Sequence, residues 1–356
     1  MTRAAALRAR VAAVACGGRV LSLAVAACAL LLLAPSPSAA QKTLNAVKAR
    51  GEVRCGVSGQ LPGFSAKDAK GVWTGFSVDV CRALAAAIFD DPSKVVFTPL
   101  TVETGFGPLV SGDIDVLARA NSWTLAREAG LGIQFAYVNY YDGQGFMVRK
   151  SRGVASARDL NGTKVCVQRE STSELNLADY FRANQLNYEE IALPNEREVV
   201  TAYDEGRCDV VSSDISRLHS ERLDLKAPAA HVILPDAIAK EPLGPAVRNG
   251  DDQWLTVVKW THFAMVDAEE QGISQKTLPE VMNSERARTR RLVGSLAALG
   301  EALGLSNDWA TRIIHHVGNY GEVFDRNLGA GSRLAIPRGL NRLWTEGGLQ
   351  YAPPMR

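Results

Sequence analysis

From residue 52 onward the hydrophobic pattern switches between two periods. Short apolar-rich runs of strand length alternate with stretches in which apolar residues recur every third or fourth position. Residues 52–57 make the first run. In 79–89, Val80, Ala83, Leu84, Ala87 and Ile88 share one helical face. A strand is predicted at 94–100 after Asp91-Pro92, a short helix at 106–110 closed by Ser111-Gly112, and a strand at 114–117. This βαβαβ order produces a parallel sheet with helices on both faces. The order then recurs, with strands at 164–168, 188–192 and 209–212 and helices at 173–184, 196–205 and 215–222. Each half carries Gly-x-x-Asp before its third strand, Gly112 to Asp115 and Gly206 to Asp209. The likeness is one of organisation, not a sequence repeat.

Between the halves, 140–148 reads as an extended crossing segment. Residues 232–247, with Pro235, Pro242 and Pro245, read as the return. Two crossings insert the second lobe into the first. The expected limits are 41–146 with 247–356 for lobe one and 147–246 for lobe two. Residues 251–356 are expected to pack back on lobe one as helices and an extended tail. The fold class is therefore α/β, with two lobes and two linkers forming a hinge around a cleft. In open α/β sheets a ligand sits outside the carboxyl ends of the strands.

The 356 residues carry a formal charge of +2. That sign belongs to the N-terminus. Residues 1–40 contain Arg3, Arg8, Arg10 and Arg19 and no acid, then an apolar run from Leu23 to Ala34, then Ser38-Ala39-Ala40. This is the order of a secretory signal, with cleavage expected after Ala40. The run is short for a transmembrane helix. Val25-Ala26-Ala27-Cys28 resembles a lipoprotein cleavage box, but Leu30 to Leu33 continue the apolar run beyond it. Cleavage removes four of 40 basic residues and none of the 38 acids, leaving −2. A nucleic-acid partner then has no compositional support.

Cleavage also removes Cys16 and Cys28, leaving Cys55, Cys81, Cys166 and Cys208. Four cysteines in an oxidising compartment imply two disulfides with three pairings open. A local reading favours Cys55–Cys81 and Cys166–Cys208, because each joins neighbouring elements of one lobe. No Cys-x-x-Cys or clustered Cys/His spacing points to a metal. His315 and His316 are adjacent, so on a helix they point about 100° apart and do not chelate from one face.

Three segments carry candidate chemistry. Asn121-Ser122-Trp123-Thr124-Leu125-Ala126-Arg127 offers a guanidinium and hydroxyls. Arg169-Glu170-Ser171-Thr172-Ser173-Glu174 offers hydroxyls at a helix start, with Ser171 and Glu174 spaced as a capping box. Ser212-Ser213-Asp214 offers a carboxylate just past a strand. All three follow strands and face the expected cleft. Together they suit a zwitterion: cations and N–H donors for a carboxylate, one anion for an ammonium. The bland alternatives are a surface arginine at 127 and an N-cap at Asp214. Phe106 reads as core, Trp73 and Phe76 as core or cleft wall.

Several strings in order resemble the periplasmic solute-binding proteins of polar amino-acid ABC transporters, family 3, closest to the general L-amino-acid-binding branch. They are Gly71-Val72-Trp73-Thr74-Gly75-Phe76-Ser77-Val78-Asp79-Val80-Cys81-Arg82-Ala83, Ser122 to Arg127, Tyr141-Asp142-Gly143-Gln144-Gly145-Phe146, and Glu205-Gly206-Arg207-Cys208-Asp209. The resemblance covers 41–356. It implies the type II periplasmic-binding-protein fold. It also implies a carboxylate clamp by Arg127, aided by Ser122 and the backbone near Ala120, with Thr172 and Ser171 donating from the other lobe. Asp214 is implied as acceptor of the α-ammonium. Glu170 stands where many relatives have glycine. Ser58 and Leu61 replace the acid and aromatic of basic-amino-acid binders, which argues against a dedicated Lys or Arg receptor. Arg119 is expected to reach acidic ligand side chains, and with Trp73 it completes the expected side-chain pocket. The implied function is non-enzymatic capture of free L-amino acids for an ABC permease, by a periplasmic monomer without cofactor. The rival is an exported dehydratase of the arogenate or prephenate type, for which Glu170 is the one unexpected cleft carboxylate. A sensor ectodomain is disfavoured because no span follows residue 41.

Overall fold

The run Val53–Val57 is buried at every position but one, as expected of a parallel strand covered on both faces. The computed structural model describes residues 42–356, so the expected leader, with Cys16 and Cys28, lies outside the described residues. Thirteen strands follow in chain order: β1 Val53–Val57, β2 Gln60–Leu61, β3 Ser65–Lys67, β4 Trp73–Thr74, β5 Val95–Pro99, β6 Val116–Ser122, β7 Ile133–Phe135, β8 Tyr140–Arg149, β9 Thr163–Gln168, β10 Tyr188–Leu193, β11 Val210–Asp214, β12 His231–Ile233 and β13 Ala239–Arg248.

Ten of them form one sheet, whose main path runs β10-β9-β11-β8-β13-β6-β1-β5. At one end β1 pairs in parallel with β5 and β6. At the other, β9 pairs in parallel with β10 and β11. These are the two βαβαβ halves read from the hydrophobic pattern. The antiparallel strands β8 and β13 join them, pairing from Tyr140↔Leu243 to Gln144↔Ala239. Beyond that shared stretch β8 pairs with β11 and β12, and β13 with β6 and β7. The crossing segments are thus ordered ladder strands at the centre of the sheet.

Helix Phe76–Phe89 begins three residues before the predicted 79. Gly75 is the reason. Its φ is +130° and an added Cβ would stand 2.2 Å from the Phe64 carbonyl oxygen, a conformation and a fit that glycine alone permits. Asp79 does not cap the helix. Its carboxylate accepts from Asn327 Nδ2 (2.7 Å) and Arg326 Nε (2.9 Å), which fastens helix Tyr320–Asn327 onto this one. The long helix Asp252–Glu270 starts at Asp251, whose side chain accepts from the Trp254 N–H at 3.0 Å. It packs against Phe76–Phe89 and Trp309–His316 in the main hydrophobic core. The tail reaches back through Gln350, 3.0 Å from His262 Nε2. The small antiparallel sheet β2-β3-β4 had no sequence signal, since strands of two or three residues are too short to show a period.

Cys55 on β1 is joined to Cys81 on the following helix, with Cα atoms 6.3 Å apart. Cys166 on β9 is joined to Cys208, just before β11, at 5.8 Å. Each bridge stays within one half, the pairing that local reading favoured. His316 Nε2 contacts Asp90 Oδ1 at 2.9 Å. Among the described residues no His, Cys, Asp and Glu cluster is placed to hold a metal, and no helix is long and apolar enough to cross a membrane.

The Cys166–Cys208 bridge spans 42 residues of sequence. Replacing both cysteines by serine is expected to lower the unfolding free energy by about 3–4 kcal/mol, the chain-entropy value for such a loop. Denaturant melts with and without reductant measure this. An unchanged midpoint in the double variant would contradict a stabilising bridge.

Candidate functional site

Strand β6 carries the first part of the site, and a bulge aims it. The ladder pairs Leu117 with Ala246 but Asn121 with Gly244. Four steps along β6 therefore match two along β13. Within the bulge Ala120 has φ +57°, a strained value for alanine. A bulge of this kind bends the strand and redirects its side chains. It lets pairing resume to Ser122, where the sequence reading ended the strand at 117. Gly244 is required opposite, because a Cβ there would come within 2.0 Å of the Tyr137 carbonyl oxygen.

Arg127 follows on the short helix Leu125–Gly130, whose start is capped by Thr124 Oγ1 accepting from the Arg127 N–H at 3.3 Å. Its guanidinium donates from Nη1 to the Ser122 carbonyl at 2.8 Å. It also lies over the Phe106 ring, 5.5 Å from the centroid, a favourable cation–π placement. Phe106 was expected inside a helix at 106–110 as core. It immediately precedes helix Gly107–Ser111, packs half-buried against the core cluster of Leu109, Ile114 and Leu117, and is a platform for Arg127. Burial pulls the Arg127 pKa down, while the charges of Glu241 and Asp214 oppose that.

The opposing wall is the start of helix Thr172–Ala183. Ser171 is its N-cap, accepting from the Glu174 N–H at 3.2 Å and donating to the Gln168 carbonyl at 2.6 Å. The expected capping box is altered, since the Glu174 carboxylate accepts from the Glu170 N–H at 2.7 Å, one residue before the cap. Glu170 has φ +59° and is exposed. Its position needs a left-handed backbone, which accounts physically for glycine there. Thr172 Oγ1 lies 3.4 Å from Ser122 Oγ, so hydroxyls of the two halves meet.

Asp214 ends β11 and precedes helix Ile215–Arg222, yet its carboxylate makes no capping bond. Asp142 on β8 takes that duty instead, accepting from the Ser216 N–H at 3.3 Å and from the Ser216 hydroxyl. Asp214 is 8% exposed. Among the described residues it has one ion-pair neighbour, Arg217 Nε at 3.9 Å. Burial, then the charge of Asp142, pushes its pKa up to about 8. Burial raises Asp142 to about 7, with the Ser216 hydrogen bonds opposing. Glu241 stands opposite Asp142 on β13, adds to this negative charge, and accepts from Asn176 Nδ2 at 2.9 Å.

A charge triad joins the halves beside this. Glu196, the first residue of helix Glu196–Asp204, places Oε1 at 3.0 Å from Arg119 Nη2 and 2.6 Å from Arg217 Nη1. Burial works against the Glu196 charge, but Arg217 and Arg119 prevail and hold its pKa below the ordinary value. Arg119 is 3% exposed, donates from Nε to the Leu100 carbonyl at 2.8 Å, and is brought down to about 10, chiefly by burial. The guanidinium expected to await acidic ligands is therefore already paired.

One small pocket, about 390 Å³ of empty space, brings together Arg119, Ala120, Ser122, Arg127, Ser171, Thr172 and Asp214. Asn121, Gln168, Ser173, Ser212, Ser213 and Arg217 also line it. The Asn121 Nδ2 is buried without an acceptor among the described residues. Ser58 and Trp73 lie apart, in a larger neighbouring chamber, and Leu61 lines a third cavity. Sequence reasoning missed Glu196, Arg217, Glu241 and the capping role of Asp142. Their charges fall at strand positions and helix starts where solvated residues are common, so no local pattern marks them.

This electrostatic arrangement has consequences that can be measured. Asp214 and Glu221, both raised to about 8 mainly by burial, bind protons more tightly folded than unfolded. Their stabilising contribution is full below pH 4 and is lost as pH rises to about 8. The ligand-free melting temperature is expected to fall across that window and level off above it, with a shallower fall in Asp214→Asn. Equal slopes in variant and parent would refute the assignment. Glu170→Gly is expected to leave ligand affinity within about twofold and not to lower stability, since glycine relieves a left-handed strain of about 1 kcal/mol. A large affinity loss on calorimetry would instead place Glu170 in the site.

The model of the bacterial extracellular solute-binding proteins, family 3, matches residues 53–277. The chain is 53% identical over 340 residues, 95% of its length and 99% of the relative's, to the general L-amino acid-binding periplasmic protein AapJ of Rhizobium johnstonii. It is 49% identical over 320 residues, 90% of its length and 95% of the relative's, to the glutamate/glutamine/aspartate/asparagine-binding protein BztA of Rhodobacter capsulatus. A solved structure, an ABC transporter/periplasmic binding protein from Brucella ovis with glutathione bound, superposes with a TM-score of 0.87 at 50% identity, covering 88% of this chain and 99% of that one. With this agreement along almost its whole length and a two-lobed α/β architecture, the chain belongs to the bacterial extracellular solute-binding proteins, family 3.

Proposed function

We propose that this protein is a periplasmic receptor that captures free L-amino acids between its lobes and delivers them to an ABC permease. The observation that carries the reading is Asp214: a buried carboxylate that neither caps its helix nor meets a strong cation, lining the same small pocket as Arg127 and Thr172. A ligand ammonium supplies the missing cation. Arg127, the Ser122 and Thr172 hydroxyls and the start of helix Thr172–Ala183 suit the carboxylate on the same carbon. A site built around the common head of amino acids selects weakly among side chains. The names of the relatives, a general L-amino-acid binder and a binder of acidic residues and their amides, support that breadth. Glutathione, bound in the neighbouring structure, carries the same free head.

The lobes of this reading are 41–146 with 247–356, and 147–246. Their limits fall within β8 and β13, so bending of these two strands opens the cleft. Export through residues 1–40 and action as a monomer complete it. The reading includes no catalysis. Glu170, the carboxylate that a dehydratase would need beside the scissile group, is exposed and is assigned a backbone role. Relatives named as binding proteins favour a receptor.

A thermal-shift panel of the twenty amino acids on the purified protein tests this, because a ligand bound only by the folded form raises the melting temperature. Several L-amino acids are expected to stabilise it and their D-forms not. Asp214→Asn is expected to weaken all of them similarly, by roughly 10- to 100-fold, the weight of a charged hydrogen bond of about 1.5–3 kcal/mol. Normal binding by that variant would remove the ammonium assignment.

A further inference from the structure

We propose that a second chamber beside the head-group pocket receives the tail of γ-linked glutamyl peptides ending in a free carboxylate. The proposal rests on the reading of the first pocket as an α-amino-acid head site. Arg119 and Gln168 line both spaces, so the two share a wall. The second is larger, about 1160 Å³ of empty space opening toward solvent, against about 390 Å³ for the first. The groups suited to an amino-acid head line the smaller space, and the larger one lies beside it. Two residues beyond a γ-carbonyl add about 7 Å of extended chain, for which the chamber offers the larger space.

The chamber wall selects the tail. Trp73, Pro99 and Leu100 give it an apolar side, with Trp73 held against Phe97 at 5.5 Å between centroids. Lys67 and Arg197 stand on its rim, exposed and without an ion pair among the described residues. The Lys67 Nζ lies 5.2 Å from the Trp73 ring centre. The acid in the lining, Glu196, is bound by both Arg119 and Arg217. The chamber is therefore net positive, repelling the extended cations of lysine and arginine and attracting a terminal carboxylate.

The head site fixes the linkage. Arg127 and Asp214 require a free carboxylate and a free ammonium on one carbon. An ordinary α-peptide bond consumes one of these. A bond through the side-chain carboxyl keeps both and sends the remaining residues away from the head, toward the chamber.

Titration calorimetry with L-glutamine, reduced glutathione, γ-glutamylglycine and α-linked glutamylglycine tests the proposal. Glutamine and both γ-linked peptides are expected to compete for one site, and the α-linked isomer is expected not to bind. The double variant Lys67→Glu, Arg197→Glu is expected to weaken glutathione about tenfold or more, the sum of two screened charge contacts reversed in sign. It is expected to leave glutamine within about twofold, which also shows that the variant is folded. Asp214→Asn is expected to weaken both. Glutamine binding without glutathione binding, or equal losses for both in the double variant, would overturn the chamber and leave the head site standing. Failure of every free amino acid to bind would overturn the head site and the chamber with it.

Discussion

The arrangement turns on a division of labour between two aspartates. Asp142, on a crossing strand, takes over the start of helix Ile215–Arg222 through Ser216. Asp214, which by position is the cap, is left buried with Arg217 Nε at 3.9 Å as its one ion-pair neighbour among the described residues. An uncompensated carboxylate in a dry site is costly, and its raised pKa expresses that cost. In the proposed function a bound ammonium removes it. The pocket is thus built with a deficit of positive charge at one end, which in the proposed function the ligand fills.

The ladders of β8 with β13 and β11 hold Asp142, Asp214 and Glu241 near one another. Like charges on facing strand positions oppose pairing. The Arg119–Glu196–Arg217 triad works the other way, spanning the halves with complementary charge. Buried triads of this kind roughly break even against their desolvation and serve better as registers than as stabilisers.

The bulge in β6 shows how the scaffold sets such geometry. Ala120 in the left-handed region and Gly244 under the Tyr137 carbonyl are tolerated because the flanking ladder overdetermines them. The benefit is local: Arg119, Asn121 and Ser122 come to line one pocket. Glu170 is the counterpart across the cleft, with a left-handed backbone immediately before the capped helix. Each wall of the pocket thus carries one left-handed non-glycine residue.

The sequence by itself determined the two βαβαβ halves, the crossings, and the candidate segments around Arg127, Thr172 and Asp214, because these rest on local periodicity and on residue types at strand ends. It also carried the cysteine pairing that the fold then adopted, since each pair bridges adjacent elements of one half. Only the tertiary structure decided which acid caps which helix, that Arg119 is already paired, and that Glu196, Arg217 and Glu241 stand beside the pocket. Glu196 and Arg119 are 77 residues apart in sequence. Contacts of that separation depend on strand order and register, and a one-step slip would turn each side chain to the opposite face. Local pattern contains neither quantity, so the charge network was fixed only when the two halves met.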